Sequence, residues 1–463
     1  MRTSISKKRS MRRLAAASGA LGLLLVGVAT ATAHAESVRA RQWHLDAMQA
    51  EEMWQTSKGR GITIAVIDSG VDSSLPDLKG RVLDGKDYSD QRGDEHTDLA
   101  GHGTNVASLI AATGGRGAVN GSYGLAPGAR ILPIRMRYSE EDFGKFDAGA
   151  QFSRNMAEAI RYAAGTEAQI INISMGAYDA PGRKNVSTAA LTAAVKYALD
   201  KGKLIFAAAG NDGAAANRLG YPAATPGVVG IGATDKNAKA LALSQSGPQI
   251  DLVAPGIDMI HACLGKTGVC RTSGTSDATA IASAAAALVW SAHLDWTRNQ
   301  VLRVILNTAG KPTGGEKRTD FVGYGTVRPR VALKNPGDPG PADEYPLPDL
   351  AAAASQSPSP EASRREGSAG DTHPGSDTPT PAASKPGEDR RKGLWTGLGI
   401  AAAVLLAVAV TILIVRKRRN ATTTPPPPTY PPLSGNGTAH PPHQENPNRP
   451  DPYNIPPGPG PRN

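Results

Sequence analysis

Three residues in this chain, a serine, a histidine and an aspartate, lie in settings that favour nucleophilic catalysis. Ser276 follows Gly274 and Thr275 and opens an alanine-rich segment. A serine at the start of a helix lies beside free backbone N–H groups, which stabilise a developing negative charge. Asp68 ends an apolar, β-branched run, and His102 lies between two glycines before a small-residue segment. Ser276 alone would be an ordinary helix cap, but together the three residues supply a nucleophile, a base and a buried acid.

The pattern of apolar residues predicts the elements that must position these groups. Short β-branched runs alternate with helical patterns, which indicates an α/β domain of three layers with a parallel sheet covered on both faces. The carboxyl ends of parallel strands meet at one edge of the sheet, and Asp68, Ser174 and Asn211 all fall there. The predicted strands are 62–67, 131–136, 170–174, 204–208, 228–233 and 250–253, and the predicted helices are 105–112, 147–164, 188–200, a helix from Ser276, and 298–308.

The chain order Asp68, His102, Ser276 and the residues around each of them resemble the subtilase family of serine peptidases. The resemblance extends over residues 43–333. It implies a three-layer α/β/α subtilisin-like domain with a mainly parallel sheet, and a serine endopeptidase that cleaves polypeptides through an acyl-enzyme. Further segments that are similar to the family, in the same order, are 124–131, 172–176, 208–211, 221–223 and 254–256.

The same resemblance assigns roles to individual residues. Asp68, His102 and Ser276 would form the catalytic triad. Asn211 would donate a hydrogen bond to the oxyanion, together with the backbone N–H of Ser276. Extended substrate would pair, as an added strand, with Ile173, Ser174, Met175 and Gly176.

Three positions depart from the family pattern. Ala280 stands where the family usually has proline, and Asn105 stands where it often has a second histidine. Asp277 follows the nucleophile, where methionine or an aromatic residue is common. We expect Asp277 to be a first-turn acid that complements the helix dipole. The alternative is a carboxylate that disfavours acidic substrates or raises the pKa of His102.

Cys263 and Cys270 are the only cysteines and have six residues between them. Outside a cell, an intact pair this close in the chain most simply forms a disulfide, here one that closes a hairpin before the nucleophile. A two-thiol metal site is the alternative. It would need further ligands, and the nearest candidate, His261, has no obvious fourth partner.

No cofactor is expected, and no metal ligand is assigned. Calcium is common in subtilases, but this sequence does not identify its ligands. His44 and His293 have no partners that mark them as ligands. A cluster of acids and a histidine could form a cation site, although a solvated loop is the expected interpretation: Asp94, Glu95, His96 and Asp98.

Two segments outside the predicted domain indicate export and membrane insertion. Residues 1–35 combine basic residues, an apolar run and a small-residue cleavage site, as in a signal peptide; an uncleaved anchor is the alternative. Residues 393–415 are uncharged and long enough to form a transmembrane helix, with a buried core helix as the alternative. Because basic residues 416–419 follow at once, we expect a single-pass cell-membrane protein with its catalytic domain extracytoplasmic and its C-terminal tail cytoplasmic.

The formal net charge of +10 does not indicate a nucleic-acid partner. The excess basic residues lie in the leader and beside the predicted membrane span, where they serve insertion and topology. The predicted layout continues with an N-terminal extension (36–60) whose apolar residues can pack on the domain, and a peptidase domain (61–335). A Pro/Ala/Ser-rich extracellular linker (336–392) and a Pro-rich tail (416–463) follow; the tail either docks a partner or is disordered.

This layout resembles that of mycosins, the membrane-anchored proteases of type VII secretion systems in actinobacteria. The resemblance implies maturation of secreted substrates and association with a type VII secretion membrane complex. Two alternatives remain open. The chain could be a structural or scaffolding subunit of a membrane secretion complex with dispensable proteolysis, or a general surface protease.

Overall fold

A computed structural model describes residues 36–138 and 148–356. The predicted signal peptide, the predicted transmembrane helix at 393–415 and the predicted cytoplasmic tail lie outside the described residues. Within the described part of the chain, no helix is long and apolar enough to cross a membrane.

A seven-stranded sheet forms the middle layer of the domain, and all neighbouring strands in it are parallel. The strands along the chain are β1 (Thr63–Asp68), β2 (Lys86–Asp87), β3 (Arg130–Arg135), β4 (Ile170–Ile173), β5 (Ala177–Tyr178), β6 (Leu204–Ala208), β7 (Gly220–Tyr221), β8 (Val229–Thr234), β9 (Leu252–Pro255), β10 (Met259–Ala262) and β11 (Val269–Thr272). The order across the sheet is β2-β3-β1-β4-β6-β8-β9, and β5-β7 and β10-β11 form two small antiparallel pairs. All six predicted strands are confirmed, with small shifts at their ends.

The five predicted helices are also present. The helix predicted at 105–112 begins earlier, at His102, because the glycines beside this histidine do not interrupt it. The helices along the chain are α1 (Trp43–Ala47), α2 (Ala50–Thr56), α3 (His102–Ala111), α4 (Gly117–Asn120), α5 (Ala148–Ala164), α6 (Ala189–Asp200), α7 (Thr275–Ala292), α8 (Arg298–Thr308), α9 (Pro329–Lys334) and α10 (Pro348–Gln356).

Two separate helix layers cover the two faces of the sheet. Successive side chains of a strand point to opposite faces. On β1, Ile64 and Val66 pack with α3, α7 and α8, whereas Ala65 and Ile67 pack with α5 and α6. The three-layer α/β arrangement expected from the alternating pattern is therefore confirmed.

Helix α7 is the central helix of the domain. Its residues from Thr275 to Trp290 are all buried, which explains why the segment is apolar on every side. Its many alanines let it lie close to β4, β6, β8 and β9. Ala280, which stands where the family usually has proline, is fully buried within this helix.

The N-terminal extension is part of the folded domain. Leu45 on α1 and Met53 on α2 belong to the same core as α3 and α7. The indole N–H of Trp54 donates to the carbonyl oxygen of Leu125 at 2.8 Å. The apolar residues of this segment thus pack as the sequence suggests they can.

The folded domain continues past its predicted end at Asn335. Arg303 on α8 donates to the carbonyl oxygen of Pro339 at 2.7 Å, and Leu347 is buried. Residues 336–350 therefore pack on the domain, although the sequence predicts an extracellular linker from residue 336. The composition of the segment does not predict this contact, because its acceptors are backbone carbonyl oxygens, which every residue carries. Its donor is an arginine that is distant in the chain.

Candidate active site

Asp68 is the last residue of strand β1 and is fully buried. Its Oδ1 accepts a hydrogen bond from the Ser69 N–H at 2.7 Å and lies 2.7 Å from Nδ1 of His102. A carboxylate only accepts, so we assign the imidazole proton to Nδ1. Nε2 of His102 is then the basic nitrogen, as a general base requires.

His102 begins α3, and the glycines around it bring this helix close to the end of β1. Gly101 has a φ of +77°, a conformation that side chains other than glycine rarely adopt. A Cβ on Gly103 would lie only 2.1 Å from the carbonyl oxygen of Gly70. The glycines therefore set the distance between the histidine and the aspartate.

Asp98 caps the first turn of α3. Its Oδ2 accepts from the backbone N–H of Thr104 at 2.8 Å, and its Oδ1 accepts from the N–H of Gly101 and the hydroxyl of Ser69, both at 2.7 Å. The sequence predicts a solvated loop around Asp98, but the residue is buried. The reason is that the N–H groups of a first helical turn need acceptors from outside the helix.

The surroundings of His102 favour its protonated form. Desolvation lowers the pKa of His102, but the carboxylates of Asp68, Asp277 and Asp98 oppose this, and the net result is a raised pKa. The ring of Tyr138 packs against the imidazole with 4.6 Å between ring centroids. About a fifth of the His102 side chain remains exposed (20%), which leaves a route for substrate.

Ser276 is the second residue of α7, and hydrogen bonds connect it to the end of β4. Its hydroxyl donates to the carbonyl oxygen of Ser174 at 3.0 Å, and the Ser174 hydroxyl donates to the carbonyl oxygen of Ser276 at 3.2 Å. Asn172 Nδ2 donates to Ser174 Oγ, and the Ser283 hydroxyl donates to Asn172 Oδ1. The sequence does not predict this supporting role of Asn172 and Ser283, because each shows there only as a polar side chain in a mostly apolar element.

Asn211 follows β6, and its amide has a defined orientation. Its Oδ1 accepts from the backbone N–H of Thr275 at 2.9 Å and from the Thr275 hydroxyl at 3.0 Å. Because both partners are donors, the oxygen must face them, which leaves Nδ2 to donate elsewhere. Helix geometry also leaves the N–H of Ser276 without an acceptor inside α7. Asn211 and Ser276 line one pocket, so these two donors are available to a substrate bound there.

A pocket of about 390 Å³ lies beside Ser276. Three of the predicted substrate-binding residues, Ser174, Met175 and Gly176, line it. Ile173 does not, because it is fully buried and pairs within the sheet with Ile67. Its backbone is therefore committed to the sheet, and the substrate strand can begin only after it. The other lining residues are Tyr138, Tyr178, Ala208, Ala209, Gly210, Asn211, Asp212, Gly220 and Thr275.

Cys263 and Cys270 form a disulfide at the end of the β10–β11 hairpin, with 5.8 Å between their Cα atoms. The hairpin leads directly into α7. Asp277 is buried under it, accepts a hydrogen bond from the Thr272 hydroxyl at 2.7 Å, and has a pKa raised by burial to about 6. Its carboxylate contributes to the raised pKa of His102, which agrees with the alternative considered from the sequence.

Asp84, Glu95 and His96 are close enough together to hold a metal ion. His96 Nε2 lies 3.5 Å from Asp84 Oδ1 and 3.7 Å from Glu95 Oε1. Calcium prefers many oxygen ligands and no imidazole, so this set does not fit the calcium that is common in subtilases. Asp94 is not part of this set, and its Oδ1 accepts from the His96 N–H. We assign no metal to this cluster.

Comparisons with known proteins agree with this geometry. The thermophilic serine proteinase of Bacillus sp. (strain AK1) is 36% identical over 264 residues, which are 56% of this chain and 60% of that protein. The match thus spans about three fifths of that relative's length. Among solved structures, MycP1 from Mycobacterium smegmatis superposes with a TM-score of 0.57 at 28% identity and covers 68% of this chain and 89% of its own.

A chain of the periplasmic assembly from the ESX-5 inner membrane complex is also similar, with a TM-score of 0.54 at 28% identity, over 75% of this chain and 90% of its own. The subtilase family itself matches residues 59–325, which include the buried aspartate, the histidine at the start of α3 and the serine at the start of α7. The chain belongs to the subtilase family of serine proteases.

Proposed function

We propose that this chain is a serine endopeptidase that cleaves polypeptides through an acyl-enzyme. The observation that carries the proposal is the 2.7 Å contact between Asp68 Oδ1 and His102 Nδ1, at the sheet edge where Ser276 meets the end of β4. A buried acid, an imidazole of fixed tautomer and a serine at a helix N-terminus meet the requirements of serine catalysis. Asn211 adds the donor that an oxyanion needs.

In the first half of the reaction, Ser276 Oγ attacks the scissile carbonyl carbon. Its hydroxyl donates to Ser174 in the resting protein, so the proton first turns to His102 Nε2, which takes it as the new C–O bond forms. Asn211 Nδ2 and the Ser276 N–H stabilise the negative carbonyl oxygen. His102 then gives the proton to the leaving amine as the C–N bond breaks, while Asp68 stabilises the transient imidazolium.

In the second half, a water attacks the acyl-enzyme and gives its proton to His102, which returns it to Ser276. The substrate backbone would lie along Ser174, Met175 and Gly176, which line the pocket. Pairing with a strand needs an extended peptide. We therefore expect cleavage in flexible segments rather than in folded parts of a substrate.

We further propose that the protease acts outside the cytoplasm as part of a type VII secretion system. MycP1 is a component of the ESX-1 type VII secretion system, and the similarity to MycP1 and to a chain of the ESX-5 periplasmic assembly supports this proposal. Residues 393–415 would anchor the chain in the cell membrane, with residues 416–463 in the cytoplasm. Extraction of the chain from membranes by detergent but not by alkaline carbonate, together with protection of the tail from external protease, would test the topology.

The catalytic proposal is tested by labelling the full-length chain with a fluorophosphonate, which reacts with activated serines. We expect labelling of the wild type and none of Ser276→Ala or His102→Ala. A folded wild-type chain that is not labelled at any pH would refute the proposed activity. The two variants should unfold at nearly the wild-type temperature, which would show that the loss is chemical.

The similarity to the ESX-5 assembly also favours a second function, that of a structural subunit whose proteolysis is dispensable. Ser276→Ala separates the two functions in the native host. Secretion and complex assembly that survive this substitution would favour the structural role. Labelling of the wild type without co-purification of any secretion component would instead favour a general surface protease.

A further inference from the structure

Three polar side chains, two buried and one half-buried, form a series of hydrogen bonds beside the candidate active site. Asp277 Oδ2 lies 2.7 Å from the Thr272 hydroxyl, and that hydroxyl lies 2.8 Å from Nε2 of His261. Nδ1 of His261 lies 2.9 Å from the carbonyl oxygen of Ala262. Asp277 and His261 are buried, and Asp277 is next to Ser276 in the sequence. The proposed mechanism uses none of these three side chains.

Asp277, Thr272 and His261 form one unit, and their hydrogen-bond partners fix the number of protons that this unit holds. The Ala262 carbonyl only accepts, so His261 Nδ1 must carry a proton. The single hydroxyl proton of Thr272 can point to Asp277 or to His261, but not to both. If it points to Asp277, then His261 Nε2 must also be protonated. If it points to His261, then Asp277 must be a carboxylic acid that donates to Thr272.

Both arrangements contain the same number of protons and have no net charge. When the unit loses one proton, one of its contacts no longer has a proton, so two lone pairs face each other there. The unit then carries a buried negative charge. Burial lowers the pKa of His261 to about 4 and raises that of Asp277 to about 6. Below a pH of about 6 the shared proton therefore resides on Asp277, and at higher pH the ionised unit carries its negative charge there.

His102 is the neighbouring group whose charge this ionisation can change. Burial lowers the pKa of His44 on α1 to about 3, so it stays neutral. Desolvation raises the pKa of Tyr138 well above its ordinary value, so it also stays neutral. Asp68 and Asp98 also face His102 but lie outside the unit. Arg271, on the same hairpin as Thr272, is exposed and pairs with Asp258 at 2.7 Å.

We propose that Asp277, Thr272 and His261 hold one proton in common, and that its release places a negative charge behind His102 and so sets the pH at which His102 becomes a base. Asp277 is then a positioning residue that acts through His102. This inference rests on the proposed protease function. The hairpin carries two of the three side chains, and the Cys263–Cys270 disulfide closes the loop beside them.

Asp277→Asn tests the proposal because asparagine can donate to Thr272 as the protonated acid does. We expect the rate of fluorophosphonate labelling of the full-length chain to reach half its maximum at a pH lower by about half a unit or more than in the wild type. Asp258→Asn is the matched control, because it removes a half-exposed carboxylate from the same hairpin. It should leave the midpoint unchanged. Equal midpoints in the wild type and Asp277→Asn would overturn the proposal.

A second measurement does not depend on activity. The ring nitrogens of His102 can be titrated by NMR in full-length Ser276→Ala chains labelled with ¹⁵N-histidine, with and without Asp277→Asn. The midpoint of His102 should be lower in the double variant, and an unchanged midpoint would refute the coupling. Absence of labelling in the wild type with a normal His102 titration would count against the protease function alone.

Discussion

The proposed oxyanion role of Asn211 can be tested with a defined magnitude. Asn211→Ala removes the Nδ2 donor and leaves the backbone N–H of Ser276 in place. The loss of one such donor typically costs about 3–4 kcal/mol of transition-state stabilisation. We therefore expect kcat for a peptide p-nitroanilide to fall by about 10²–10³-fold. KM should change by less than about threefold, because the oxyanion exists only in the transition state.

A control is needed because Asn211 also supports the first turn of α7 through Thr275. Thr275→Val removes the hydroxyl part of that contact but keeps Nδ2 of Asn211. It should reduce kcat by less than about tenfold. If Thr275→Val and Asn211→Ala lose the same activity, the effect comes from the position of the helix. A decrease of less than tenfold in the kcat of Asn211→Ala would refute the oxyanion role directly.

Three further predictions concern stability, and denaturant unfolding measures each of them. Gln42→Ala should lower the free energy of unfolding by about 2–4 kcal/mol, because the buried amide donates to the Tyr123 and Ile260 carbonyls and accepts from the Tyr123 N–H. The exposed control Gln55→Ala should change this free energy by less than about 0.5 kcal/mol. Equal effects of the two substitutions would contradict the role of Gln42. Burial raises the pKa of Asp251 to about 8, whereas the unfolded chain loses this proton near pH 3.8. The free energy of unfolding of the wild type should therefore fall as the pH rises from 5 to 8, by up to roughly 1.4 kcal/mol per pH unit. A parallel fall in Asp251→Asn would refute this prediction. Replacing both disulfide cysteines with alanine should cost about 2–3 kcal/mol, and an unchanged unfolding midpoint would show that the hairpin does not need the bond.

The sequence alone determined the parts of the molecule that depend on local patterns. An apolar run that ends on Asp68, a histidine between glycines and a serine at a helix start were each visible within a few residues. Alternating strands and helices predicted a parallel sheet, whose geometry brings strand ends to one edge. The triad candidates stood out in these local patterns, whereas the oxyanion role of Asn211 was implied by the resemblance to the subtilase family.

Only the tertiary structure decided which distant groups complete the site. In the folded protein, Asp98 is buried and caps α3, and Ile173 pairs within the sheet instead of with substrate. Asp277 is connected to His261 through Thr272. The tertiary structure also extended the domain through residues 336–350. The physical reason is the same in each case. A buried polar group must find a hydrogen-bond partner, and which partner it finds depends on atoms that meet only when the chain has folded.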